Sequence, residues 1–514
     1  MNHLHLVDYL IILVVLGITL YLGFRFSGQQ KTTEKFFLSK GNFPSWALGL
    51  SLLSTLISSV TFLGYPTQGF TSNWIFLVQG LMVPVVLFCT IWFIVPLYRR
   101  AIGLSTYEYF EKRFGGFARY YSSSSFLLRQ FAGMGTVLFL IAVAIGKLTG
   151  INDFIILGVV SLVLIIVNLK GGMQAVIWLD VFQGFMLFAS GIICLTILLM
   201  SIDGGVTEAW KIASANDRAG FGPYDIDFTR VTLIVMVING AFYAIQKYGT
   251  DQTVVQRYLT ARTDRSAIKA SLLGISLTIP VWSMFMLIGT ALFVFYKQHP
   301  PPGVSGPGQM EAAAAFPYFM MTELPTGIVG FIVAALVSAA ICSLSADLNS
   351  MAAVGVEDYY RRLKPGRPDH QYLRAGRWMV VLSGILAAGV GALYLNAGNE
   401  GVLGIVFTLY AIFSGGIVGI FLLGFLSSRA NRQGVNIGIV VCILFTAYAF
   451  LTSTPVGLKE KKLLLDLGDF NFKHDKLMLG VYSHLVLIVV GYVASLFFPK
   501  PVIDPKLIYS RKKD

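Results

Sequence analysis

The 514-residue chain is 55% hydrophobic and 13% charged, with a mean hydropathy of +0.71 and a formal net charge of +13. Soluble domains carry about 25% charged residues, so this composition excludes a water-soluble globular protein and requires a lipid bilayer as partner. The basic surplus comes without any nucleic-acid motif, so nucleic acid is not an expected partner; membrane proteins collect such a surplus in cytoplasmic loops.

A spanning helix needs about 20 mostly apolar residues, and thirteen segments qualify. The first, 7–25, has no basic leader or small-residue cleavage site and reads as a retained N-terminal helix, not a signal peptide. Five spans follow at 45–68, 74–98, 122–147, 152–169 and 175–200. Five more fall at 231–251, 268–296, 327–354, 377–396 and 402–427. Two C-terminal helices, 434–453 and 479–498, lead into the basic tail 499–514. The fold class is therefore all-α, a polytopic membrane protein in one membrane domain. Its longest loops, 201–229, 298–326 and 454–478, are too short for a soluble domain, and the second is turn-rich in Pro and Gly.

Thirteen crossings put the termini on opposite faces. With the C-terminus cytoplasmic, inner segments hold 27 Lys and Arg against 10 outside, and Arg129 and Lys247 inside spans complete the 39. That asymmetry predicts the N-terminus outside and the C-terminus in the cytoplasm, in the plasma (inner) membrane of the cell. The Lys-rich 454–478 loop is the exception.

Little in the chain suggests catalysis. Five of the six histidines lie in tails or loops, and there is no HExxH, GxSxG or Walker motif. The four cysteines sit in apolar stretches without a CxxC pair, which points away from disulfides and zinc. An enzyme is not expected.

Polar groups inside lipid are costly and mark function. The 45–68 span reads SLLSTLISSVTFLGYP, with Ser51, Ser54, Thr55, Ser58, Ser59 and Thr61, then Gly64 and Pro66 to interrupt it. The 327–354 span reads LVSAAICSLSADLNS, with Ser338, Ser343, Ser345, Asp347 and Asn349. Asp180 stands in GGMQAVIWLDVFQG. Hydroxyls, freed carbonyls and a carboxylate are hard donors suited to a small hard cation. A broken helix facing a hydroxyl-lined one is a sodium cradle in transporters. Any single serine could instead bond back to its i−4 carbonyl or hold helices together; the combination with Asp180 favours the cation.

These segments resemble the sodium/solute symporter family. The resemblance runs from Asp8 to the 402–427 span, through TEKFFLSKGNFPSWALGLSLLSTLISSVTFLG, STYEYFEKRFGG, KGGMQAVIWLDVFQG, YGTDQTVVQRYL and SLSADLNSMAAVGVEDYY. Asn168 departs from the small residue usual in the family. The resemblance implies a five-plus-five inverted repeat, 45–200 and 231–427, like that of the leucine transporter. The first helix of each half would be unwound, with alternating access driven by sodium. It implies a principal sodium site of Ser54, Ile57 and Ala339 carbonyls with the Cys342 and Ser343 side chains. The family has two adjacent serines there; a thiol is a softer, weaker donor. A second sodium site would use Asp180, Ser343 and Ser345, but its next position is Ala346, which favours one sodium per solute.

The resemblance also implies a substrate site. It would be built from Ser58, Ser59 and Thr61, from Phe76 and Gln79, and from Phe242 and Lys247, with Tyr410 as a cover. The sialic acid branch holds its carboxylate with an arginine that Gly133 replaces here. Arg129 is expected to snorkel inward, Lys247 to snorkel or to receive an acidic group, and Asp251, Arg257 and Arg265 to be interfacial. Three activities remain open: a sodium-coupled symporter of a small polar organic solute, sugar-like or carboxylate-bearing; a proton-coupled carrier, raised by Cys342 and Ala346; and a non-transporting solute sensor on the same scaffold. The sodium ion is the only coupling group implied; the sequence sets no oligomeric state, and a monomer suffices.

Overall fold

The computed structural model describes residues 4–39, 43–57, 60–397, 415–456, 462–463 and 465–508. The architecture is all-helical. Among the described residues, nine helices are long and apolar enough to cross a bilayer, and a pair bent by 58° makes a tenth candidate.

The chain begins with α1 (Leu6–Arg25), then the bent pair α2 (Ser45–Leu56) and α3 (Tyr65–Thr71), joined by a π-turn over Val60–Gly64. Next come α4 (Leu77–Ala101), α5 (Gly116–Thr149) and α6 (Asp153–Met200). The second part holds α7 (Leu233–Gly249), α8 (Gln252–Thr260), α9 (Asp264–Gln298), α10 (Ile328–Val354) and α11 (Asp369–Ala397). Then come α12 (Ile417–Leu426), α13 (Arg432–Ser453) and α14 (Lys476–Leu496). A two-residue antiparallel ladder, Pro455–Val456 with Lys462–Leu463, lies between α13 and α14.

Polar residues in the connections start these helices. Asn152 accepts from Phe154 N–H ahead of α6, Asp251 from Thr253 ahead of α8, and Asp475 from Leu477 ahead of α14. At 48 residues α6 would run about 72 Å if straight, far more than a bilayer core of about 30 Å. It breaks at Gly172, whose φ of 57° only glycine takes without strain. The break falls between the 152–169 and 175–200 spans expected from sequence.

The 231–251 span is corrected. It stops at Gly249, and Asp251 starts a separate helix, α8, all of whose residues are buried. The 122–147 span also extends in both directions, to Gly116–Thr149. Of the 402–427 span, 402–414 lies outside the described residues.

Deeply buried α10 packs against α6 and α1, and α9 packs against α2, α3 and α4. Large apolar side chains such as Leu13, Phe88, Trp92, Ile155, Trp378 and Leu382 point outward. In water that surface would be prohibitive; against acyl chains it carries no penalty.

Candidate functional site

The site forms where α2 stops short. Ile57 leaves the helix with φ −104° and ψ 116°, so the last turn of α2 has carbonyls that no continuing helix takes up. Pro66 opens α3 in its first turn, where a missing N–H costs nothing. Facing the break are α10 and the second half of α6. Between them lies a void of about 10 Å³, lined by Ser54, Ile57, Ala339 and Cys342 together with Gln183, Gly184 and Leu187. Four of the five residues expected to hold sodium thus surround one small space. The fifth, Ser343, donates to the Ala340 carbonyl at 3.2 Å and lines the larger cavity next door.

Beside this void is a closed polar cluster. Asp180 and Arg257 are both fully buried and joined at 2.9 Å. Ser51 donates to the same carboxylate and accepts from Arg257 Nε at 2.8 Å. Cys342 Sγ donates to Asp180 Oδ1 at 2.7 Å, and Ser54 Oγ to the Asp180 carbonyl at 2.7 Å. Arg257 also reaches the Thr253 carbonyl at 2.6 Å. The interfacial placement of Arg257 and Asp251 is corrected: both are buried, while Arg265 is exposed. Arg257 sits on a helix that folds back into the protein, so its charge is neutralised by Asp180 instead of by water.

The residues of the second sodium site have separate partners. Asp180 bonds Ser51, Cys342 and Arg257; Ser345 Oγ accepts from Asn168 Nδ2 at 2.9 Å; Ser343 faces the large cavity. Asn168, the departure from the family pattern, thereby acquires a structural role, since it also donates to Leu164 O at 2.8 Å.

The large cavity, about 200 Å³, opens between α2, α3, α4, α5, α7, α10 and α14. Of the expected substrate residues, Thr61, Phe76, Gln79, Phe242 and Lys247 all line it; Ser58 and Ser59 lie outside the described residues, as does Tyr410. Gln79 donates to Asn239 Oδ1 at 2.7 Å, which is held in turn by the Leu477 carbonyl at 2.9 Å. Lys247 Nζ bonds Asp251 at 3.0 Å, and Arg129 pairs with that same carboxylate. Arg129 therefore does not snorkel: it is buried on an ion pair.

Sequence reasoning missed several lining residues. Asp347 accepts from Gln130 Nε2; it stood out as a charge inside a span but had no assigned role. Gln246 lines the wall with an unpartnered Nε2 among the described residues. His484 reaches in from α14, stacked on Phe242 at 5.5 Å and 19°. It was the one histidine inside a span, which was the available signal. Tyr65 and Trp282 stack in parallel at 6.2 Å on another part of the wall.

A broken helix, a buried ion-sized void and an adjoining polar cavity in an all-helical membrane bundle define a secondary transporter. The profile of the sodium:solute symporter family matches residues 36–442. The sodium/sialic acid symporter NanT of Aliivibrio fischeri is 30% identical over 96% of this chain and 93% of its own length. The corresponding symporter SiaT of Proteus mirabilis is 30% identical, with 96% of each chain covered. A solved, substrate-bound outward-open sodium-coupled sialic acid symporter superposes with a TM-score of 0.86 at 27% identity, covering 96% of this chain and 99% of that one. The chain belongs to the sodium:solute symporter family. It is a sodium-coupled symporter of a small polar organic solute, working by alternating access, and not an enzyme.

Proposed function

We propose that the chain imports one sodium ion with a hydroxyl-rich, carboxylate-bearing solute of the sialic acid or sugar acid class. The observation that carries this reading is the wall of the large cavity, where an ammonium, several amides and two aromatic stacks face one space. Amides of Gln79, Gln246 and Asn239 match sugar hydroxyls, and flat aromatic faces match a sugar ring. Gly133 stands where the sialic acid branch has its arginine, so Lys247 takes the carboxylate. Lys247 bonds Asp251, which Arg129 also pairs, and Asp347 lines the same wall, so Lys247 is the ammonium that faces the cavity and would meet a solute carboxylate. Thr61 and Phe76, with Ser58 and Ser59, complete the proposed solute contacts.

Sodium is held at the break by the Ser54, Ile57 and Ala339 carbonyls with Cys342 and Ser343. The ion-sized void among the first four of these residues, with Ser343 on the adjoining cavity, supports that site. The second site, with Asp180, Ser343 and Ser345, is disfavoured because Arg257 already neutralises Asp180. Thirteen crossings, ten of them in two inverted five-helix repeats, 45–200 and 231–427, fit the breaks at Gly172 and Thr250 and the described α12. In this reading the N-terminus is outside, the C-terminus is in the cytoplasm, the membrane is the cell membrane, and a monomer is the working unit.

A thermal-shift screen of sialic acids, other sugar acids, neutral sugars and amino acids, with and without sodium, tests the solute class. Sugar acids should stabilise the purified protein only when sodium is present. Stabilisation by neutral sugars alone would remove the carboxylate from the account.

A further inference from the structure

Asp347 differs from the other acids of the protein interior. Asp180, Asp251 and Asp358 are fully buried, and each is bonded to a guanidinium, of Arg257, Arg129 and Arg119 in turn. Asp347 has no ammonium or guanidinium bonded to it among the described residues. Its hydrogen bond comes from a neutral amide, Gln130 Nε2 on α5. Lys247, which lines the same cavity, gives its ammonium to Asp251 at 3.0 Å and to Thr253 at 3.4 Å instead.

From Ile332 to Val354 every residue of α10 is buried except Asp347, and its exposure is to the large cavity. It stands one turn beyond Ser343 on the same helix face, and both line that cavity. An ionised carboxylate only accepts, at about four lone-pair sites, and Gln130 uses one of them. A solute that displaces water from this wall has to replace the hydrogen bonds it removes, because an unpaired acceptor away from water is costly and a charged one more so. The part of the solute that lies against Asp347 therefore carries donors.

Charge decides which donors. Arg129 and Lys247 stand against Asp251 and Asp347, a balanced set. A solute carboxylate that enters with one sodium ion keeps the balance, whereas an added ammonium would not. Hydroxyls satisfy Asp347 without changing the sum, and two neighbouring hydroxyls reach both oxygens of one carboxylate. A second carboxylate on the solute would face Asp347 with like charge, which works as rejection.

We propose that Asp347 binds neighbouring hydroxyls of the solute while Lys247 meets its carboxylate, and that Asp347 thereby selects polyhydroxylated monocarboxylates over dicarboxylates and over acids without hydroxyls. The inference rests on the large cavity being the solute site, as proposed above.

The test is solute binding to the purified full-length protein in sodium buffer, read by thermal shift and isothermal titration. The sugar-acid probes are N-acetylneuraminate, glucuronate and gluconate; glucarate is the dicarboxylate and cyclohexanecarboxylate the acid without hydroxyls. Asp347→Asn keeps the shape and an acceptor for Gln130 but removes the charge. It should raise the sugar-acid Kd about tenfold or more, the scale of a charged hydrogen bond. Glucarate and cyclohexanecarboxylate should bind the variant at least as well as the parent, so the preference for sugar acids narrows. Equal weakening of every probe would make Asp347 a packing residue and overturn the inference. An unchanged sugar-acid Kd overturns it too; if Lys247→Met still weakens binding, the solute site stands without Asp347. If no sugar acid binds the parent, the proposed solute class falls and takes the inference with it. Should Asp347→Asn fail to fold, Asp347→Glu decides. It keeps the charge but moves the acceptor by one methylene, so it should weaken the sugar acids about threefold or more and still refuse glucarate; a parental sugar-acid Kd overturns the inference.

Discussion

Two buried polar regions of this protein differ in how completely their hydrogen bonds are made. Around Asp180, the carboxylate, guanidinium, hydroxyls and thiol all find one another, and the charges cancel. Around the large cavity, Gln246 has an unpartnered donor among the described residues, His484 an unpartnered Nδ1, and Lys247 shares its carboxylate with Arg129. Both regions bury charge in a membrane bundle, where an unpaired group is expensive. The closed cluster has its charges and protons paired off, so it holds helices together and leaves an ion beside it only the main-chain carbonyls and the Cys342 sulfur. The open one keeps polar capacity that only a ligand can use.

The largest expected effect breaks the closed cluster. Arg257→Met leaves Asp180 buried without its partner and should cost about 3–5 kcal/mol, seen as lost yield and a lower unfolding temperature. The double variant Asp180→Asn, Arg257→Gln should recover most of that loss. A single variant as stable as the parent would show that the cluster is not what holds α6 to α8.

Lys247→Met probes the open region. Asp251 keeps Arg129 and Thr253, so the protein should fold, while solute affinity falls by about 10- to 100-fold, the scale of a charged hydrogen bond. Unfolding instead of weakened binding would move Lys247 to the structural side of the comparison.

Smaller again is Ser343→Ala, which should weaken sodium activation of uptake about tenfold without loss of stability. Smallest is Cys342→Ser. A hydroxyl can keep the bond to Asp180 and is the harder ligand, so sodium affinity should stay the same or rise a few-fold, by about 1 kcal/mol at most. A marked drop in transport would give the thiol a role of its own.

The long spans among the described residues were legible because lipid imposes long apolar runs, and the gap between the 152–169 and 175–200 spans fell on the break in α6 at Gly172. The break after Gly249 was not: Asp251 read as an interfacial charge, whereas it caps α8 inside the protein. Five of the seven expected solute residues line one cavity although they come from three separate segments: Thr61 at the break, Phe76 and Gln79 at the start of α4, and Phe242 and Lys247 on α7. The Asp180–Arg257 pair was out of reach. Its members lie 77 residues apart, and nothing local distinguishes a buried arginine from an interfacial one. His484 was missed for the same reason: it enters the cavity from α14, beyond the ten-helix core the family resemblance implies.

The central claim is that solute moves with a sodium ion bound at the break in the first core helix. Uptake of a labelled sialic acid or sugar acid into proteoliposomes, under an inward gradient of sodium, lithium or choline, tests it most directly. The account predicts uptake driven by sodium, insensitive to a proton ionophore and strongly reduced in Ser343→Ala. Equal uptake in choline, abolished by the ionophore, would contradict it.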